Sequence, residues 1–239
     1  MRNLLVMAHR GYSAQFPENS RLAFVKAIEV GAEAIECDLH KSKDGAYVVL
    51  HDDSVDRTSN GTGRVADLTL AQLRDITFAG EQRILTLEEL VALVPRGILL
   101  NVELKSETVQ KSDLPKIAST LRPRGSRVMI STFDHALAKS AIETGLQVGL
   151  LIGEEHRSLG FTGLVRRISS YRPYSVNLPF QMVEQFGTIR IGIICRWIRL
   201  MGIRVMFWTV NKERPIQLIK DWTDVVITDE VEKALQWCS

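Results

Sequence analysis

Short apolar runs alternate along the chain with stretches of helical periodicity. Runs that suit buried strands occur at Leu4 to Ala8, Ala34 to Asp38, Ile98 to Leu104 and Arg127 to Ser131. Four more follow at Gln147 to Ile152, Ser175 to Leu178, Arg204 to Trp208 and Asp224 to Ile227. Each is separated from the next by enough chain for a crossover helix. Asn19 or Ser20 can cap a helix over Arg21 to Val30, Asp134 one over His135 to Thr144, and Asp229 one over Glu230 to Trp237. Gly31 and Gly145 stand where helices end in left-handed backbone. Eight strand-then-helix units predict an α/β fold, a closed (β/α)8 TIM barrel, whose usual length is about 250 residues. An open doubly wound sheet is the second choice.

One unit breaks the rhythm, because about 60 residues separate the second strand from the third. Within them Tyr47 to His51 reads as an extra short strand after the Asp44-Gly45 turn, and Asp56 to Gly63 as a polar loop. Thr86 to Val94 is the delayed barrel helix, with Thr86 and Glu89 spaced as a capping box. The reading is therefore one domain over residues 1–239 with an insertion at about residues 40–83. The apolar run Gly192 to Val210 is interrupted by Arg196, Arg199 and Arg204, which predicts a buried helix and a strand and not a membrane span.

Composition narrows the function classes. At 45% hydrophobic and 24% charged, 239 residues can bury one large core, which excludes a disordered or low-complexity chain. Thirty Lys and Arg against 28 Asp and Glu are too balanced for the broad basic footprint of a nucleic-acid binder. Cys37, Cys195 and Cys238 are odd in number and far apart, without disulfide or metal spacing. Met1-Arg2-Asn3 leads straight into the first apolar run without a leader pattern. Both features make a reducing cytoplasm the expected location.

The chemistry-bearing residues sit at strand ends. Glu36 and Asp38 share a face of the second strand, and Glu103 and Lys105 end the third. In a barrel this end is the rim where catalytic groups gather. Three carboxylates there supply hard oxygen ligands for one divalent cation, Mg²⁺ or Ca²⁺, with Mn²⁺ also open. His9 ends the first strand and His51 the inserted one, offering two groups that titrate near neutrality for acid and base work. Arg10 and Lys105 can neutralise a phosphate, and Trp208 can wall a substrate pocket. His40 continues the Glu36, Asp38 face but reads as a loop histidine, and Cys37 should point the opposite way into packing.

In order along the chain come His9-Arg10-Gly11, Pro17-Glu18-Asn19, Glu36-Cys37-Asp38, Lys43-Asp44-Gly45 and His51-Asp52. Asp56-Arg57-Thr58, Thr86-Leu87-Glu88-Glu89, Glu103-Leu104-Lys105, Ser131-Thr132-Phe133-Asp134, Trp208-Thr209-Val210-Asn211 and Ile227-Thr228-Asp229 follow. By these motifs the chain closely resembles the glycerophosphodiester phosphodiesterase family. The resemblance implies a TIM barrel with an insertion after the second strand and metal-dependent release of glycerol 3-phosphate from substrates such as glycerophosphocholine or glycerophosphoethanolamine. It implies His9 and His51 as the acid/base pair, in either order, with Glu36, Asp38 and Glu103 as metal ligands. Arg10, Lys105 and Trp208 are implied as substrate contacts, with attack by water or by a neighbouring substrate hydroxyl. Ser20 and Leu85 depart from the usual Thr and Pro, and Gly153 to Ser170 is the least family-like stretch. Lysophospholipids are the alternative substrate class, and a non-catalytic phosphodiester-binding barrel the remaining reading. The oligomeric state is not readable from these residues.

Overall fold

The computed structural model describes residues 4–238, so the expectation drawn from Met1 to Asn3 lies outside the described residues. Eight parallel strands close on themselves: β1 (Leu5–Ala8), β2 (Ala34–Lys41), β4 (Leu99–Leu104), β5 (Val128–Thr132), β6 (Gln147–Leu151), β7 (Ser175–Pro179), β8 (Arg204–Trp208) and β9 (Val225–Thr228). Closure comes from β1, which pairs with β2 on one side and β9 on the other. The short strand β3 (Tyr47–Val49) lies outside the barrel count and pairs antiparallel with the end of β2. That hairpin is why β2 runs three residues past its expected end at Asp38.

Helices α1 (Arg21–Glu29), α2 (Leu70–Asp75), α3 (Leu87–Leu93), α4 (Leu114–Leu121), α5 (His135–Ile142), α6 (Gly160–Tyr171), α7 (Gln181–Phe186), α8 (Thr188–Leu200), α9 (Glu213–Ile219) and α10 (Val231–Cys238) fill the connections. Ser20, not Asn19, caps α1 by accepting from the Ala23 amide at 3.1 Å. Thr86 and Glu89 form the expected capping box on α3. The run Gly192 to Val210 resolves into α8 and β8, but α8 buries only one side. Ile191, Cys195 and Ile198 face the core, whereas Ile189, Ile193 and Leu200 are exposed.

Between β2 and α3 the chain builds its own small apolar cluster from Val48, Leu50, Val55, Val65, Leu73, Phe78 and Ile84. The main core lies between barrel and helices. Ile35, Cys37 and Leu39 of β2 and Leu100, Val102 and Leu104 of β4 belong to it. Strand alternation therefore turns Glu36, Asp38, Asn101 and Glu103 into the barrel. The lower barrel interior is apolar, filled by Met7, Ala34, Leu99, Met129, Met206 and Val225.

Candidate active site

Along five of the strands, toward their C-terminal ends, the inward positions turn from apolar to chemistry-bearing side chains. Met7 gives way to His9, Ala34 to Glu36 and Asp38, Leu99 to Glu103 and Lys105, Met206 to Trp208, and Ile227 to Asp229. The β2–β4 register sets Asp38 beside Glu103, and one oxygen from each of Glu36, Asp38 and Glu103 lies within 4.8 Å of the others. All three are buried. Burial and the neighbouring Asp38 charge push the Glu36 carboxyl up to about 8. Asp38 is as buried, yet Lys105 and Arg10 outweigh the desolvation and hold it well below the usual carboxylate range. At Glu103 burial prevails over Lys105, and its pKa is raised.

The two flanking cations are held by these carboxylates. The Lys105 ammonium lies 2.8 Å from Asp38 Oδ1 and hydrogen-bonds Glu103. Arg10 reaches Glu18 at 3.1 Å and places its Nε 3.3 Å from Asp38. Arg10 has a left-handed backbone, with φ of 55°, a conformation that costs a non-glycine residue about 1 kcal/mol or more. The turn aims its amide at Glu36, 3.0 Å away. Gly11 follows at φ +79°, where a Cβ would meet the Ala23 carbonyl carbon at 2.7 Å, so glycine is required on both counts.

Each histidine is steadied by a carboxylate. His9 Nδ1–H donates to Asp229 Oδ1 at 2.7 Å, which turns Nε2 toward Glu36, 4.0 Å away. Burial disfavours the imidazolium, but the Asp229 hydrogen bond and the Glu36 charge prevail and raise the His9 pKa. His51 Nδ1–H donates to Asp52 at 2.7 Å. There burial prevails over the attraction of Asp38, and the pKa is lowered. Asp52 is gripped through both oxygens by Arg57, at 2.6 and 2.9 Å, and the same guanidinium clasps Glu18 at 2.7 and 3.0 Å. A continuous chain of charge thus runs from His51 through Asp52, Arg57, Glu18 and Arg10 to Asp38.

The inward-pointing residues expected from the sequence converge, and the residues that brace them stand in the motifs Pro17-Glu18-Asn19, His51-Asp52, Asp56-Arg57-Thr58 and Ile227-Thr228-Asp229, to which the sequence assigns no bracing role. Asp229 commits its carboxylate to His9, Ser13 and Asn211, not to capping α10. Its period-two spacing from Ile227 was the available signal. Asn19 donates to Asp38 at 2.7 Å. His40 corrects the loop expectation: it is buried within β2, accepts through Nδ1 from the Thr108 hydroxyl at 3.0 Å and donates through Nε2 to the His51 carbonyl at 3.1 Å. Arg57 and Glu18 lie in irregular chain where no periodicity marks them.

Trp208 forms one wall, its indole N–H donating to the Asn177 carbonyl at 3.2 Å, with Phe133 edge-on at 5.6 Å. Behind Phe133, His156 and His135 stack at 3.9 Å. His156 donates through Nε2 to the Phe133 carbonyl and accepts from the Gly153 amide. His135 donates to the Leu151 carbonyl at 2.9 Å and accepts from Arg167 at 3.1 Å. Both rings are therefore neutral, and burial pushes His135 down to about 4.

Comparison with known proteins shows the family of this chain. The model of the glycerophosphoryl diester phosphodiesterase family matches residues 9–233. A glycerophosphodiester phosphodiesterase of Caldanaerobacter subterraneus is 33% identical over 243 residues, covering 95% of each chain. The crystal structure of a glycerophosphodiester phosphodiesterase from Thermotoga maritima superposes with a TM-score of 0.86 at 32% identity over 99% of both chains. The fold is shared with an Oleispira antarctica phosphodiesterase solved with its product sn-glycerol-3-phosphate, at a TM-score of 0.84 and 22% identity over 98% of this chain and 96% of that one. This chain belongs to the glycerophosphoryl diester phosphodiesterase family and is an enzyme of phosphodiester hydrolysis.

Proposed function

We propose that the chain hydrolyses glycerophosphodiesters such as glycerophosphocholine or glycerophosphoethanolamine to glycerol 3-phosphate and an alcohol, using one divalent cation and the His9, His51 pair. The observation that carries the reading is the carboxylate triad at the barrel rim, with a braced histidine on either side. Glu36, Asp38 and Glu103 would hold the cation. Their donor set is all oxygen, which suits Mg²⁺, Ca²⁺ or Mn²⁺. Glu36 Oε1 is buried without a hydrogen-bond partner, as an oxygen reserved for a cation would be. Bound there, such an ion supplies Lewis-acid activation of a phosphoryl oxygen.

The chain's own residues do the rest. Arg10 and Lys105 bring positive charge to the place where a phosphodiester anion would sit, offsetting negative charge that builds in the transition state. One imidazole takes a proton from the attacking oxygen through its free Nε2, and the other gives one to the departing alkoxide. Asp229 and Asp52 fix the tautomer that leaves Nε2 free. Phe133 and Trp208 give the alcohol group an aromatic wall. Cys37 and Cys195 are buried free thiols, in keeping with a reducing cytoplasm. The test is release of glycerol 3-phosphate from glycerophosphocholine by metal-stripped protein, with Mg²⁺, Ca²⁺ or Mn²⁺ restored separately. Product dependent on an added ion is the expected result, and no product with any of them overturns the reading.

A further inference from the structure

Exposed apolar side chains and unpaired positive charge concentrate in the same stretch of chain. Among the described residues six large apolar side chains are strongly exposed, and five of them, Phe161, Phe186, Ile189, Ile193 and Leu200, lie within α6 to α8. The stretch Gly160 to Leu200 also carries six arginines against a single carboxylate, Glu184, in a chain whose total charge is only +2. Arg199 pairs with Asp224 and Arg167 hydrogen-bonds His135, and the other four have no ion pair among the described residues. An ordinary soluble surface scatters its apolar residues and mixes its charges.

Helix α8 shows the pattern most clearly. At about 100° per residue, Ile189, Ile193, Arg196 and Leu200 fall within an arc of about 60°, with Arg190 on its flank. The core-facing residues Ile191, Cys195 and Ile198 lie on the opposite side. Thr188 to Leu200 contains no acidic residue. Arg190 and Arg196 are exposed, and neither has an ion-pair partner among the described residues.

We infer that this face docks on the surface of an anionic lipid bilayer, with α8 lying in the interface. Apolar side chains interleaved with arginines are what such a surface recognises, burying the former at the acyl boundary and pairing the latter with phosphate head groups. No helix of the described residues is long and apolar enough to cross a membrane, so the contact is a peripheral one. A second copy of the chain fits less well. Two-fold pairing of α8 about Ile193 would set Arg190 of one copy against Arg196 of the other, bringing like charges together in an interface without an acid to offset them. The inference does not rest on the catalytic reading, since none of these residues reaches the carboxylate site.

Cosedimentation of the full chain with vesicles tests it, comparing phosphatidylcholine alone with phosphatidylcholine and phosphatidylglycerol in equal parts. Binding to the anionic vesicles only, weakening as salt rises, is expected. The double variant Arg190→Gln, Arg196→Gln should lower partitioning about tenfold or more. The triple variant Ile189→Ser, Ile193→Ser, Leu200→Ser should abolish it, with hydrolysis of glycerophosphocholine unchanged as the check on folding. Failure of the folded protein to bind anionic vesicles overturns the inference, as does binding that survives both variants. A dimer seen by light scattering and broken by Ile193→Glu, without vesicle binding, would assign the face to a second copy instead.

Discussion

Oδ1 of Asp229 lies 2.7 Å from Nδ1 of His9, joining the two ends of the barrel across 220 residues of chain. Because the Nδ1 proton is committed to this carboxylate, Nε2 is the nitrogen left facing the Glu36 cluster. Asp229→Asn would turn an amide N–H toward Nδ1 and favour the opposite tautomer. The expected result is a fall in kcat of about 10²–10⁴-fold with little change in KM, by the logic of other carboxylate-oriented histidines. Steady-state release of glycerol 3-phosphate measures it, beside a melting curve showing that the barrel is intact. A variant with near wild-type kcat would remove Asp229 from the positioning of His9.

Arg57 is half-exposed, so its ion pairs contribute only about 1 kcal/mol or less to stability. Its effect should appear in turnover. The planar fork grips Asp52 and Glu18 at once, and a lysine cannot reproduce two bidentate contacts. Arg57→Lys and Arg57→Ala should therefore lower kcat alike, by about tenfold, as Asp52 loses its hold on His51. Full rescue by lysine would show that charge alone matters at this position.

The barrel was legible because its signals are periodic. Eight short apolar runs spaced by helices declare parallel strands, and alternation alone puts Glu36 and Asp38 on one face. Glu103 and Lys105 followed from the same rule. What escaped was braced from outside that periodicity. Arg57 and Glu18 sit in loops whose approach depends on how the segment between β2 and α3 folds over its own cluster. An acid before a helix is its usual cap, a local rule that the distant His9 overrides at Asp229. Only a knowledge of strand length would have moved His40 from loop to buried strand, and that length is set by pairing with β3.

The carboxylate triad also predicts how the metal-free protein responds to pH. Folded Glu36 holds its proton up to about 8, whereas in the unfolded chain it ionises near its ordinary value of about 4.5. Between those values the folded state binds more protons, so stability falls as pH rises. Glu103 and His9, both raised, act in the same direction. From about pH 6.5 to about pH 8 the depressed histidines no longer contribute, which makes this the window to measure. Urea titrations of metal-stripped protein should show the decline, and Glu36→Gln should flatten it. A cation at about 100 times its Kd should restore about 2.7 kcal/mol. An unchanged pH slope in Glu36→Gln would mean that the strain resides elsewhere.

The stacked pair His135 and His156 sets the opposite slope in acid. Both rings spend Nε2–H on a carbonyl and accept a hydrogen bond at Nδ1, which disfavours a second proton; at His156 burial outweighs the nearby Glu155 carboxylate, 3.5 Å from Nδ1. In the unfolded chain His135 takes up a proton near pH 6.5, but folded it resists until about 4. Over that interval the unfolded state binds more protons, and stability falls as pH drops. The loss from His135 is of order 2 kcal/mol once partial solvation is allowed for. His135→Gln keeps a donor for the Leu151 carbonyl but cannot titrate. The difference in unfolding free energy between wild type and variant should therefore shrink or reverse as pH falls from about 6.5 to about 4. The brace also predicts a kinetic signature, because His156 holds the Phe133 carbonyl and Phe133 packs on Trp208. As the pair protonates, the aromatic wall should loosen and KM for glycerophosphocholine should rise before cooperative unfolding begins. A KM that stays level down to the unfolding transition would show that the two histidines stabilise the loops without shaping the pocket.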